Sequence, residues 1–370
     1  MLTEVERHAH ARAVLAPVLD GRSEPSHAYL FHGPGGAGKR SAARAVAAEL
    51  LASGSPEPEG ARMRALAGSH PDLTWVVPSG AHEILVSDID QPVVAAASKT
   101  PFEAARRIFV IERVDELGDE AANRMLKTLE EPSRFVHLLL LTDRLSEVMP
   151  TISSRCQLVR FDAPSLDEVA AEVRELGAAP ETALAVARVA LGDADRARAL
   201  GSEHGRALRA AAERFARAAL SGEMWIERPW EEVIAAARAR GDAVSAELEE
   251  RGRSDVELYP KRERKRVQGE WSERVRRARR RTETASLDLA LQVVALWYAD
   301  LAALAWGAEE LVRHSDRLPE LQTDPRRDPQ RLTEAVELVE ETRRRFTLNV
   351  SEELAFEALA SRLERILQDG

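Results

Sequence analysis

Along the first 163 residues, short apolar runs alternate with stretches in which apolar residues return every three or four positions. The short runs are HAYLFH at 27–32, Thr74–Val77, Arg107–Ile111, His137–Thr142 and Leu158–Phe161, and each predicts a strand. After Lys39 the run SAARAVAAELLA, rich in Ala and Leu, predicts a helix. Strands separated by helices imply an α/β domain with a mostly parallel sheet covered on both faces. The polar segment SGSPEPEG at 53–60 interrupts the pattern as a loop. Pro164 opens a different regime, in which 165–200 reads as a small group of Ala-rich helices and the chain from about 204 onward is wholly helical. Leu287, Leu291, Val294, Tyr298, Leu301 and Ala305 recur at helical spacing as one apolar stripe, a packing face. TDPRRDP at 323–329 is a turn between helices. The pattern divides the chain into an α/β domain at 1–163, a small helical lid at 164–203 and an all-α domain at 204–370.

Composition narrows this picture. A length of 370 residues suits two or three domains, and 31% charged with only 5% aromatic residues favours helices. No apolar run reaches about 18 residues and no charged-then-apolar leader opens the chain, which predicts a soluble, cytoplasmic protein without a membrane segment. The single cysteine, Cys156, excludes an internal disulfide and a cysteine-clustered zinc site. A formal net charge of −10 argues against an autonomous DNA-binding protein. Between Lys261 and Arg281, however, eleven Lys or Arg stand against three Glu. That run reads either as a solvated helix face or as a contact for a nucleic acid backbone or an acidic partner. Trp271 alone within it does not make a base-stacking platform.

The chemistry begins at GPGGAGKR, residues 33–40. Gly33, Gly35, Gly36 and Gly38 let the backbone curl so that its N–H groups point at a phosphate, and Lys39 reaches the outer phosphates. The last position of this motif is ordinarily Ser or Thr, whose hydroxyl holds Mg²⁺. Here it is Arg40, a cation with donors only; Ser41 lies about 100° further round the helix. A second lesion follows the strand IFVI at 108–111, where an acidic residue should serve the metal and the attacking water. Glu112 stands first and Arg113 second, and a guanidinium cannot act as a base. Asp115 and Glu116 lie farther along the same loop as displaced acids. The loop predicts weak or absent hydrolysis, with either no nucleotide or unhydrolysed ATP or ADP at Lys39, and no required cofactor. PTISSRC at 150–156 places Arg155 just after a strand edge, either in an ordinary surface ion pair or offered to a neighbouring subunit's nucleotide.

HAYLFHGPGGAGK at 27–39, GSHPDL at 68–73, AANRMLKTLEEP at 121–132 and PTISSRC at 150–156 closely resemble the AAA+ clamp-loader family of bacterial DNA polymerase III. RRRFTLNVSEELAFEALASRL at 343–363 resembles that family's helical collar. The resemblance implies a P-loop NTPase-like AAA+ domain, a lid and an all-α collar that assembles with gamma/tau-type and delta-type subunits. It implies a non-hydrolysing member that supports loading of a sliding clamp onto primed DNA and donates Arg155 in trans to a neighbouring ATPase. Thr142 aligns with the family's nucleotide-sensing strand end and Arg196, in GDADRARAL, with its lid arginine. Two features depart from the family. The interval before HPD carries no zinc cysteines, so no metal is expected, and the charged stretch at about 229–281 is an expansion within or before the collar. An active gamma-type ATPase and a DNA-binding module built on 261–281 are the alternative functions. Apolar collar faces, best represented by the helix near 285–306, are expected to drive assembly.

Overall fold

The computed structural model describes residues 3–78, 83–258, 260–345 and 351–368, in two compact units divided between Pro164 and Ser165. Residues 346–350 of the collar-like motif lie outside the described residues. In the first unit, strands β1 (Ala28–His32), β2 (Leu73–Val76), β3 (Arg107–Ile111), β4 (Val136–Thr142) and β5 (Gln157–Arg160) form one sheet. Their order is β2-β3-β4-β1-β5, and every pairing is parallel. All five predicted strands are present, displaced by a residue or so at their ends.

The sheet is buried on both faces, which is why its strands read as nearly continuous apolar runs. Tyr29, Phe31, Ile108, Val110, Leu139 and Leu141 point into one layer; Leu30, Phe109, Ile111, Leu138 and Leu140 point into the other. Helices α1 (Ala9–Leu19) and α2 (Lys39–Ala52) cover the first layer with Leu15, Val46 and Leu51. Helix α3 (Pro58–Ala67) adds Ala65 to that layer, and α4 (Asp119–Glu130) covers the second with Ala122, Met125 and Leu129. Burying one such Leu or Phe stabilises the unit by about 1.5–3 kcal/mol, and Phe31→Ala would cost about 3–5 kcal/mol. The register sets His32 of β1 beside Thr142 of β4, and Ile111 of β3 beside Leu140. The segments leaving β1, β3 and β4 therefore emerge along one edge, where open α/β sheets carry their ligands. A short helix, α5 (Pro150–Ser153), follows β4 and leads into β5.

The second unit is all helical among the described residues. It opens at Ser165, whose Oγ accepts the Glu168 N–H while the Glu168 carboxylate accepts the Ser165 N–H, a reciprocal cap that starts α6 (Leu166–Glu175). Helices α7 (Pro180–Val189), α8 (Ala194–Gly201), α9 (Glu203–Ser221), α10 (Trp230–Leu258), α11 (Lys261–Ala305), α12 (Pro329–Arg345) and α13 (Glu352–Gln368) follow. One apolar core joins Val169 and Val186 of the first helices to Phe215, Trp297, Leu338 and Phe356 of the later ones.

Two expectations change here. Leu287, Leu291, Val294, Tyr298 and Leu301 are buried in this unit's own core, and so are Leu289, Val293 and Trp297 on other sides of α11. The helix near 285–306 is a core helix, and its stripe is already covered; only Ala305 at its end is exposed. The same helix contains an 18-residue window of mean hydropathy 1.5, apolar enough to span a membrane, which the search for long apolar runs passed over. That window is 67% buried within the protein, as a core helix requires. The charged stretch at 229–281 forms α10 and the first half of α11, two long helices packed side by side. Trp271 lies against Gly252, donates to Asp255 and carries the Arg274 guanidinium 4.5 Å over its ring. It is a clasp between the two helices.

Candidate functional site

The glycine loop joins β1 to α2 at the sheet edge just described. Gly33 is required by close approach and backbone conformation together, and Gly38 by its conformation, since the Arg7 tip beside it is the movable end of a long side chain. Gly33 has φ +148° and a Cβ there would sit 2.2 Å from the Phe161 carbonyl; Gly38 has φ +82° and a Cβ would meet the Arg7 guanidinium at 2.3 Å. Gly35 and Gly36 lie within the same turn, and Lys39 opens the helix. Lys39 is 6% exposed. Its ammonium donates to the carbonyls of Gly33 (2.7 Å) and Pro34 (2.6 Å) and pairs with Asp143 Oδ1 (2.7 Å). An ammonium has three N–H donors, so all three are engaged with the loop and its neighbour.

Arg40, the first departure from the hydrolytic pattern, meets Glu112, the strand-end acid that stands just before the second departure, Arg113. Arg40 Nε and Nη2 both reach Glu112 Oε2, at 2.7 and 2.6 Å. Trp75 Nε1 donates to the other oxygen, Oε1, at 2.7 Å. The Glu112 side chain is 7% exposed, so a buried carboxylate has both oxygens satisfied by the protein itself. These residues do not fit a Mg²⁺ ion: the acid that would face it is neutralised, and the position of the hydroxyl is held by a cation with no acceptor.

The rest of the edge is equally committed. Arg113, at φ +55°, pairs with Glu116. The Thr142 hydroxyl donates to Asp115 Oδ1 (2.7 Å) and accepts the Arg144 N–H (2.9 Å). Asp115 also takes Arg144 Nε at 3.1 Å and is nearly fully buried. Asp115 ties Thr142, at the end of β4, to the loop after β3. Asp72 of the HPD motif, fully buried, accepts the N–H groups of Phe102, Glu103 and Ala104 at 2.6–3.0 Å, with Arg107 3.4 Å away. Burial opposes its ionisation, but those three N–H groups and the guanidinium outweigh burial and hold its pKa below the ordinary carboxylate value. It anchors the segment that leads into β3.

Arg155 stands elsewhere on this unit, immediately after α5. Nη1 donates to the Thr151 carbonyl (2.7 Å) and, at 3.5 Å, to Ser154 Oγ; Nη2 donates to Glu130 Oε1 (2.6 Å). Both side chains are partly open, Arg155 at 35% and Glu130 at 48% exposure. Arg196 belongs to the helical unit, where Nη1 donates to Gln292 Oε1 at 2.5 Å and Asp193 caps its helix. The structure thus gathers Gly33, Gly35, Gly36, Gly38, Lys39 and Thr142 along one sheet edge. Trp75, Asp143 and Glu130 were missed by sequence reasoning. Asp143 follows Thr142 directly and Glu130 lies in the LEEP stretch, so adjacency to motif residues was the available signal; Trp75 carried none.

Residues 20–165 match the family model described as DNA polymerase III, delta subunit, a span that ends at the boundary of the α/β unit. The chain is 37% identical over 143 residues to the DNA polymerase III subunit delta' of Pseudomonas aeruginosa, an alignment covering 37% of this chain and 44% of that protein. It is 39% identical over 140 residues to the subunit delta' of Bacillus subtilis, covering 37% of this chain and 42% of that one. A DNA polymerase III gamma subunit-related protein of Thermotoga maritima superposes over 96% of this chain and 99% of its own, with TM-score 0.45 and 16% identity. The chain spans less than half the length of the curated relatives it matches. Its resemblance to delta-prime-type clamp-loader subunits is carried by the α/β unit.

Proposed function

We propose that this chain is a clamp-loader subunit of the delta-prime type, working in the cytoplasm within a DNA polymerase III holoenzyme. In that reading it does not hydrolyse ATP. It assembles with gamma/tau-type and delta-type subunits, supports ATP-dependent loading of a sliding clamp onto primed DNA, and presents Arg155 to the phosphates of a neighbouring ATPase. The observation that carries the first half is the contact between Arg40 and Glu112, with Trp75 on the second carboxylate oxygen. A cation from the chain itself neutralises the acid on which hydrolysis depends, and Lys39 is occupied by the loop and Asp143. Losing a general base alone costs about 10²- to 10⁴-fold, and here the metal position is altered as well. Nucleotide is not required for this role; ATP or ADP entering the loop would have to displace the acceptors of Lys39, and would stay unhydrolysed.

Support for the second half is the partial exposure of Arg155 at the end of a short helix fixed by buried Ile152. A guanidinium at a neighbour's active site stabilises charge developing on the transferred phosphate, worth about 10³- to 10⁵-fold at best. The test is ATP turnover by the purified full-length chain and by its complex with the ATPase subunits of the same organism. The chain alone should show none, and the complex should turn over in response to primed DNA. Turnover of about one per second by the chain alone would instead identify a gamma-type ATPase. Tight, steeply salt-dependent binding of primed DNA by the chain alone would favour the basic 261–281 run as a DNA-binding module.

A further inference from the structure

We infer that Glu130 is a positioning residue for Arg155: it holds the guanidinium through Nη2 so that the donors left without a partner are presented to an incoming phosphate. This rests on the reading of Arg155 as a group acting on a neighbouring subunit's nucleotide. Glu130 is the last residue of α4, and Pro132 two residues on prevents the helix from continuing. Arg155 follows α5, whose C-terminal turn is closed by the Arg155 N–H on the Ile152 carbonyl (3.1 Å). Met125 and Leu129 of α4 and Ile152 of α5 are buried in the same apolar layer beneath the sheet. Two rigid elements, not a mobile loop, thus set the distance between carboxylate and guanidinium.

The hydrogen bonds of Arg155 leave part of its donor set unused. A guanidinium has five N–H donors in a planar fork. Three are used, by Thr151 O, Ser154 Oγ and Glu130 Oε1. The Nε donor and the second Nη2 donor have no partner among the described residues. Those two donors remain available to an anion while Nη1 and one Nη2 donor hold the side chain in place. The carboxylate that holds Nη2 is itself half exposed, so the pair is weak enough to yield small adjustments when a multiply charged phosphate arrives. Without Glu130 the long side chain would be tethered through Nη1 alone and would sample other rotamers. Its interaction develops mainly in the transition state, so the loss should fall on the maximal rate and leave the half-saturating ATP concentration unchanged.

The experiment is steady-state MgATP hydrolysis by the reconstituted complex on primed DNA, with four versions of this chain: wild type, Glu130→Ala, Glu130→Gln and Arg155→Ala, plus the Glu130→Ala/Arg155→Ala double variant. Glu130→Ala is expected to lower kcat about three- to tenfold, the cost of re-ordering one long side chain, at unchanged KM. Glu130→Gln keeps an oxygen acceptor and should stay within about twofold of wild type. Glu130→Ala should add nothing when Arg155 is already Ala. The inference is overturned by a wild-type rate for Glu130→Ala, or by an equal loss in the Arg155→Ala background, which would make Glu130 a structural residue only. Should Arg155→Ala itself run at the wild-type rate, the reading of Arg155 fails and the inference fails with it.

Discussion

Two arginine–carboxylate pairs on the same α/β unit have opposite designs. Arg40 and Glu112 sit at the sheet edge where a phosphate-binding loop is built, and there the carboxylate is 7% exposed, doubly contacted by the arginine and also hydrogen-bonded by Trp75. Arg155 and Glu130 sit beyond a short helix, joined by one hydrogen bond, with both side chains partly in solvent. The first acid has one oxygen taken by its arginine and the other by Trp75; the second pair leaves two arginine donors open. An identical chemical pairing therefore closes one region and leaves the other ready for an anion. Burial of the carboxylate and the donors added to it decide which, since the Arg40 side chain at 59% is more exposed than Arg155 at 35%.

The sharpest way to break this comparison is to remove the open arginine. Arg155→Ala should leave the fold of the chain unchanged, since a half-exposed ion pair contributes about 0–1 kcal/mol. ATP turnover by the assembled complex should nevertheless fall on the order of a hundredfold, measured with primed DNA present. Removing the closed arginine should do the reverse. Arg40→Ala leaves Glu112 buried with only Trp75 as a donor and should destabilise the α/β unit by about 1–3 kcal/mol, read from denaturant unfolding. It should confer no ATP turnover on the purified chain, because Arg113 still stands where a base is needed. Trp75→Phe removes one donor from the same carboxylate and should cost about 0.5–1.5 kcal/mol. If Arg40→Ala instead proved neutral to stability, the pair would be an incidental surface contact and the contrast between the two regions would vanish.

The parts of this arrangement differ in how legible they were. Strands β1, β3 and β4 are buried on both faces, so their apolar runs were visible without tertiary information. The glycine loop was legible because backbone curvature demands small residues at fixed spacing. Arg40 was legible as a departure and Glu112 as the strand-end acid, yet their contact joins residues 72 apart in sequence, and no local pattern encodes it. Trp75 reads as an ordinary strand residue; its indole N–H matters only because β2 and β3 run parallel with Trp75 opposite Val110. The apolar stripe on α11 was legible as a packing face, but whether that face met its own unit or a partner was not. Leu289, Val293 and Trp297 on the helix's other sides carry that answer, since a helix apolar nearly all round is a core helix.

The smallest effect expected comes from acid, and among its groups only His32 adjoins the closed region. His32 ends β1 next to the loop, and burial, then His10, Arg160 and Lys39, push its pKa below the ordinary histidine value. Burial also lowers His70, against the pull of Glu103 and Asp72, and lowers His137, against the Ser26 carbonyl. In each case the unfolded chain takes up a proton more readily than the folded one. Their contribution is therefore complete above the ordinary histidine pKa of about 6.5 and declines as pH falls through that value towards the lower folded ones. Asp72 acts in a separate window. Its folded pKa is depressed, so its contribution is complete above about 3.9 and disappears only as pH drops further. Unfolding of the chain followed across pH 8 to 3 should show stability falling first below about pH 6.5 and again below about pH 4. Replacing His137 by Asn should flatten part of the first decline while leaving the second. A flat profile between pH 7 and 5 would mean that these histidines are as solvated in the folded protein as in the unfolded chain.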